Sequence, residues 1–336
     1  MVDSILHGVA VLLAAWAAGH PGDVYALSDA RQADGPVATY GGVVAWWGSE
    51  RGKDTRLTVW RAGRPPRRLP VSMSPRHRML DVGPGPDGAP WVVYPKCTNN
   101  GGCAIWGYDL RTARAQDLRV GEGVAAAIWH QTVVVVRQPR PSAPSELLVA
   151  TVGQGGTAAK PLPLPRHGGP AFGDAIGLDL RGDRVALSAW ESGDDVRGAS
   201  LVAGTLGDTR HAQVIGTGGG GEECTTTVSS PTLTAHAITW LHATTATYGS
   251  CRRIRELRRR DLATGARSYA RVGAVSSKQA VVAGSHTITL SPWPHDNGAN
   301  DREACVPSWM AEDPKAIGCM VRLLPAAHWH AGETGG

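Results

Sequence analysis

Ile105-Trp-Gly-Tyr-Asp-Leu-Arg-Thr-Ala-Arg114 returns later in the chain, with the same chemistry in the same order, as Leu257-Arg-Arg-Arg-Asp-Leu-Ala-Thr-Gly-Ala-Arg267. Each copy follows an apolar run, Ala89-Pro-Trp-Val-Val-Tyr94 and Ala235-His-Ala-Ile-Thr-Trp240, so the recurring unit is a sheet module and not a chance peptide. Repetition on this scale decides the architecture before any site is considered, because a unit unable to bury its own apolar face stacks on copies of itself.

Six such units are read along the chain. Their apolar runs are Gly42–Trp47, Trp91–Tyr94, Thr132–Val136, Arg184–Trp190, Ala237–Trp240 and Gln279–Ala283. They recur every roughly 40–55 residues, the spacing of four-stranded propeller blades. After each run come a polar stretch, an alternating strand, a tight turn and a further strand, as in Leu57–Gly63 leading to Arg67–Val71 and Leu147–Gly153 leading to Lys160–Leu164. The chain's 43 Gly and 23 Pro interrupt nearly every window long enough for a helix, and the apolar runs are short and rich in Val, Trp and Thr. The expectation is an all-β fold, a six-bladed β-propeller of four-stranded antiparallel blades. The Asp-Leu-x-Thr-Gly stretch serves as a turn, since Gly takes the positive φ a tight hairpin needs and Asp and Thr side chains bond nearby backbone N–H groups.

The Pro86-Asp-Gly88 turn before Trp91-Val-Val-Tyr94, followed by Ile105-Trp-Gly-Tyr-Asp-Leu110, resembles the repeat of TolB-like six-bladed β-propellers, and more closely that of secreted TolB-like proteins of high-GC actinobacteria. The resemblance covers most of residues 37–325. It is clearest in the second and fifth units. Nothing in the chain resembles the separate N-terminal domain of TolB itself, so the resemblance implies a scaffold and carries no Tol-Pal role.

Domain organisation is expected as a leader over residues 1–22, a single propeller over 23–330 and a flexible tail over 331–336. Ile5–Ala18 is an apolar run with a small-x-small site at Ala15-Trp16-Ala17, like the core of a signal peptide, although Asp3 stands where a basic residue is usual. Asp23-Val-Tyr-Ala-Leu-Ser28 lies before the first unit, and Met320-Val-Arg-Leu-Leu324 ends a sixth unit that lacks a fourth strand. Pairing the two closes the ring and removes an open sheet edge. A flexible N-terminal segment is the alternative.

The six cysteines, Cys97, Cys103, Cys224, Cys251, Cys305 and Cys319, all fall in polar loops, which suggests disulfides and an extracytoplasmic protein, secreted or of the cell envelope. Six cysteines allow about 15 connectivities. Assigning each pair to the loops of one repeat gives Cys97–Cys103, Cys224–Cys251 and Cys305–Cys319, all on the face where second-to-third strand loops open. The five residues between Cys97 and Cys103 do not suit a zinc knuckle.

Other chemistry is sparse. His328-Trp-His330 offers two imidazoles without a third ligand, and Gly216–Gly221 lacks the Lys and Ser/Thr of a phosphate loop. No cofactor is implied; calcium in the oxygen-rich loop His295–Asp301 is the alternative to a polar insertion. The net charge is +5, and arginines cluster at Arg252–Arg260, where interleaved aromatic residues are missing, and at Arg61–Arg78. They point away from nucleic acid and leave contact with anionic cell-wall polymers open. Trp46, Trp91, Trp190 and Trp240 fall in or beside apolar runs and are expected to fill space between blades, because the chain has a single Phe.

Two functional classes follow. The first is a monomeric scaffold without a transmembrane span, binding a protein or cell-envelope glycan through its stapled loop face. Its candidate binding residues are Trp293, His295, Asp296, Asp301 and Trp309, on the long insertion Pro292–Gly318. The second is a propeller enzyme, lactonase-like or another metal-dependent hydrolase, with a site in the central channel. The polar residues near its inner strands are His130, Asp179, Asp183, His236 and His242.

Overall fold

A computed structural model describes residues 25–26, 33–48, 55–72, 79–98, 102–138, 145–154, 160–162, 172–191, 199–219, 224–246, 254–271, 279–283, 286–292, 319–324 and 328–332. Every regular element among them is a β-strand. The chain begins with β1 (Tyr25–Ala26). The first unit then comprises β2 (Ala33–Tyr40), β3 (Val43–Gly48), β4 (Arg56–Arg61) and β5 (Arg67–Ser72), and the second β6 (Asp81–Pro84), β7 (Pro90–Cys97), β8 (Cys103–Asp109) and β9 (Arg114–Glu122). The third comprises β10 (Ala125–Trp129), β11 (Thr132–Arg137), β12 (Glu146–Thr151) and β13 (Lys160–Leu162). The fourth has β14 (Phe172–Arg181), β15 (Arg184–Glu191), β16 (Ala199–Thr205) and β17 (Asp208–Thr217), and the fifth β18 (Cys224–Leu233), β19 (Ala237–Ala246), β20 (Ile254–Asp261) and β21 (Arg267–Arg271). Three strands follow, β22 (Gln279–Ala283), β23 (His286–Pro292) and β24 (Cys319–Leu324), and then a short β25 (His330–Ala331).

Within each unit the strands pair antiparallel in sequence order, which makes every sheet a meander. The fold is an all-β antiparallel propeller of four-stranded blades. The expected count of six separate blades is corrected: the described strands form five sheets. The reason lies on one edge of β24, where β1 pairs through Tyr25↔Leu323 and Ala26↔Arg322 while β2 bridges through Ala33↔Cys319. That single bridge fuses the strands of the sixth and first units into one eight-stranded sheet. The same edge bears out the closure expected from the sequence, since β1 supplies the strand that the last unit lacks.

The recurring apolar runs are the second strands of the first five units, whereas Gln279–Ala283 is the first strand of its unit, one place out of step. Their residues pack between blades. Trp47, Leu57 and Val59 meet Val82, Val92 and Tyr94 of the next unit, with the Trp47 and Tyr94 rings edge to face at 5.7 Å. Trp91 packs with Ala126 and Ile128, and Trp240 with Ala186 and Leu201. Trp46, Trp91 and Trp240 are buried and Trp190 packs against the same core as Trp240, so the indoles fill the seams. Beyond residue 330 the chain continues in β25, where His330 and Ala331 pair with Tyr269 and Ser268 on the outer edge of β21.

The two copies of the repeated phrase close identical turns. The Asp109 carboxylate accepts bonds from the N–H groups of Arg111 (2.7 Å) and Thr112 (3.3 Å) and from the Thr112 hydroxyl (2.7 Å). Asp261 accepts the equivalent three from Ala263 (3.0 Å), Thr264 N–H (2.8 Å) and the Thr264 hydroxyl (2.9 Å). Charge-assisted bonds of this kind favour the ionised acid. Burial works against the Asp109 carboxylate, yet Thr112 and Arg111 hold it below its usual range. Asp261 is held low by Thr264 first and by Ala263.

Candidate functional site

The first strands of the units, β2, β6, β10, β14, β18 and β22, are neighbours of one another round the axis. Two close approaches draw them together. A methyl group at Gly83 on β6 would lie 2.0 Å from the Ile128 carbonyl oxygen on β10, and one at Gly177 on β14 would lie 2.4 Å from Pro231 on β18. Only hydrogen fits at either place.

Beside each glycine stands an aspartate. Asp81 on β6 accepts a hydrogen bond from the Ile128 N–H at 3.2 Å, and Asp179 on β14 accepts from Leu233 N–H on β18 at 2.5 Å as well as from Leu180 N–H at 2.8 Å. Asp81 is 5% exposed and Asp179 is partly buried. Both line a cavity of about 30 Å³ that is walled by β2, β6, β14 and β18. Burial first, then the neighbouring charge of Asp179, hold the Asp81 carboxyl well above its usual range. Burial pushes Asp179 up to about 7 against the pull of the Leu233 and Leu180 N–H groups and of Arg181. A charge on Asp179 thus makes ionising Asp81 costlier.

Ser230 lines the same cavity with a backbone φ of 52°, and its buried hydroxyl has no partner among the described residues. A buried donor without an acceptor costs about 1–3 kcal/mol. The cavity exceeds the roughly 10–15 Å³ that one water needs. It is far below the roughly 300–1,000 Å³ of an ordinary small-ligand site.

Of the polar residues read near the inner strands, only Asp179 reaches this cavity. His130 takes a φ of 54° at the β10–β11 turn, donates its N–H to the Pro84 carbonyl at 2.6 Å and sets its ring against Trp129. Asp183 sits in the β14–β15 turn and receives the Leu206 N–H on its carbonyl, His236 sits in the β18–β19 turn, and His242 lies along β19. Asp81, which the sequence reading passed over, completes the pair. Its signal was an acid inside Leu80-Asp-Val-Gly83, an apolar stretch ahead of the Gly-Pro-Asp-Gly turn.

Cys97 and Cys103 are cross-strand partners at the β7–β8 connection and form a disulfide. Cys251 and Cys305, and with them the two other expected bridges, lie outside the described residues, as do Trp293, His295, Asp296, Asp301 and Trp309. Among the described residues His328 and His330 meet no further ligand; the Tyr269 ring lies tilted at 5.3 Å from that of His330, and Arg259 lies 5.8 Å over Trp329. Among the described residues no group of three metal-binding side chains occurs, and no helix is long and apolar enough to cross a membrane.

No protein-family model matches the chain, and no curated protein matches it. Among solved structures it is similar to a prolyl endopeptidase at 12% identity and a TM-score of 0.44, over 84% of this chain and 42% of that one. It is similar to the β-propeller domain of the Trilobed protease from Pyrococcus furiosus at 12% identity and a TM-score of 0.44, over 80% of each chain. TolB from Acinetobacter baumannii is similar at 12% identity and a TM-score of 0.40, over 67% of this chain and 52% of that one. The chain thus spans less than half of the endopeptidase and about half of TolB. The propeller assignment rests on the strand order and pairing above.

Proposed function

We propose that this protein is an extracytoplasmic propeller scaffold that holds a protein or a cell-envelope glycan on the loop face bearing the Cys97–Cys103 disulfide. In this reading the eight-stranded sheet works as two blades, so that six units surround the axis. The carrying observation is the space on that axis. The cavity of about 30 Å³ that the described first strands enclose has no room for a substrate, and both of its carboxylates are engaged by backbone N–H groups of the neighbouring unit. The Asp81–Asp179 pair is also what favours the second reading, an enzyme of the channel. Their cross-seam bonds favour a joint between blades over a reacting centre.

Support for the face comes from its rigidity. The disulfide closes a loop of sequence separation 6 in a compartment that permits such bonds, and surplus loop length on a rigid scaffold commonly serves recognition. The long insertion with Trp293, His295, Asp296, Asp301 and Trp309 joins the end of β23 to the start of β24, a second-to-third strand connection like the one that the disulfide closes between β7 and β8. The test is binding of purified chain to peptidoglycan and to an envelope-protein fraction, with and without residues 296–303. Loss of binding at an unchanged melting temperature is expected. Undiminished binding, or hydrolysis of lactone or ester substrates that Asp179→Asn abolishes, would overturn the assignment.

A further inference from the structure

A second cavity, of about 530 Å³, lies at the seam of the fourth and fifth units. It is lined by the β16–β17 turn, the β20–β21 turn and the ends of β15 and β18 that carry Arg184 and Leu233. These are first-to-second and third-to-fourth strand connections, so it opens on the face opposite the disulfide. Its volume falls within the roughly 300–1,000 Å³ of small-ligand sites.

Two arginines from different units reach it. Arg184 donates from Nη1 to the Ala235 carbonyl across the seam at 3.1 Å, which fixes its guanidinium at the wall. Arg260 is half-buried, and its guanidinium has no hydrogen-bond or ion-pair partner among the described residues. A guanidinium held in a concave wall is suited to a carboxylate or phosphate oxygen. Asp208 and Asp261 also line the cavity. Asp261 is held ionised by its turn, and all three turn bonds go to Oδ1. Two fixed negative charges beside two positive ones oppose a dianion and accept hydrogen bonds from ligand hydroxyls. Thr205 and Gln213 add donors and acceptors, while buried Ile215 and Leu233 give an apolar floor.

We propose that this seam binds a saccharide unit carrying one carboxylate, with Arg184 and Arg260 on the acid group and Asp208, Asp261 and Gln213 on the ring hydroxyls. The site stands apart from the stapled face, and its failure would leave the scaffold reading intact. It accounts for part of the arginine cluster of β20, whose neighbour Arg259 is occupied by Trp329 on the other side.

The experiment titrates D-glucuronate, D-glucose and inorganic phosphate separately into the full chain at neutral pH, followed by calorimetry or ligand-observed NMR. Saturable binding of glucuronate is expected, at least about tenfold tighter than glucose or phosphate, with Arg260→Gln weakening it at least about tenfold. Gln213→Trp, an exposed rim residue enlarged to fill the cavity, should abolish it even where the arginine variant fails to fold. Absence of glucuronate binding, equal binding of phosphate or glucose, or binding unchanged by Gln213→Trp would overturn the proposal.

Discussion

Asp81 and Asp179 make the same bond at two seams of the ring, each carrying a carboxylate from a first strand to a backbone N–H on the first strand of the next unit, at Ile128 and Leu233. Each bond lies beside a glycine with no room for a methyl group. The second-to-third and fourth-to-fifth seams are thus joined by one acid and one missing side chain.

The pair makes stability depend on pH. Both carboxyls are held above their ordinary range, so between about pH 4 and 7 the folded chain keeps protons that the unfolded chain has released. Their contribution is complete below the unfolded value near 3.8 and is lost as pH rises through about 7 for Asp179. The melting temperature should fall between about pH 4 and 7, reflecting a loss on the order of 2 kcal/mol in stability after allowance for partial exposure. Asp179→Asn should flatten that slope and cost about 1–2 kcal/mol at the acid end, where its amide nitrogen cannot accept a backbone N–H. Calorimetry over this range checks both outcomes.

Gly83→Ala should be among the costlier single substitutions in the chain. Its methyl group would meet the Ile128 carbonyl at 2.0 Å, and backbone on both strands must shift to admit it. A loss of about 2–3 kcal/mol is expected in urea unfolding. A loss under half of that would mean the seam yields easily.

Ala113 and Gly265 occupy the same left-handed position of the repeated turn, with φ of 57° and 73°. A side chain there costs roughly 1–2 kcal/mol, part of which glycine returns through its freedom in the unfolded chain. Ala113→Gly should stabilise by up to about 1 kcal/mol and Gly265→Ala should destabilise by about the same. Denaturant midpoints measured on the two variants decide it.

Removing the Cys97–Cys103 bridge by serine substitution should cost about 2 kcal/mol, the loop-closure entropy of so short a ring. Non-reducing peptide mapping should recover this bridge together with Cys224–Cys251 and Cys305–Cys319. Any other partner for these four cysteines would overturn the pairing by units.

Ending the chain after residue 327 should expose the outer edge of β21, since β25 covers it and Trp329 and His330 pack on Arg259 and Tyr269. A bare strand edge invites pairing with another chain. Light scattering on the shortened chain should show association that the full chain lacks.

Much of the fold is legible in the sequence because its signals are local. The Asp-Leu-x-Thr-Gly turn, the Val-rich second strands and the cysteines flanking one connection each act within a few residues, and Tyr25–Ala26 was identifiable because no other strand was left to pair β24. The fusion of the first and last units was not legible, since it depends on Ala33 meeting Cys319 across the closed ring. The axis was hidden for a related reason. Its strands are buried on both faces, so Asp81-Val-Gly-Pro84 shows no apolar periodicity. Attention to the apolar second strands therefore led to His130, Asp183 and His236 at the turns.

The bond between β1 and β24 also orders events in time. The strand of the ring that is synthesised first waits for one synthesised after every other unit, and pairings so distant in sequence form slowly. During that wait the edge of β24 is open to the first strand of any neighbouring chain. Two copies folding side by side can exchange β1, giving a swapped dimer whose yield rises with the concentration at which folding takes place.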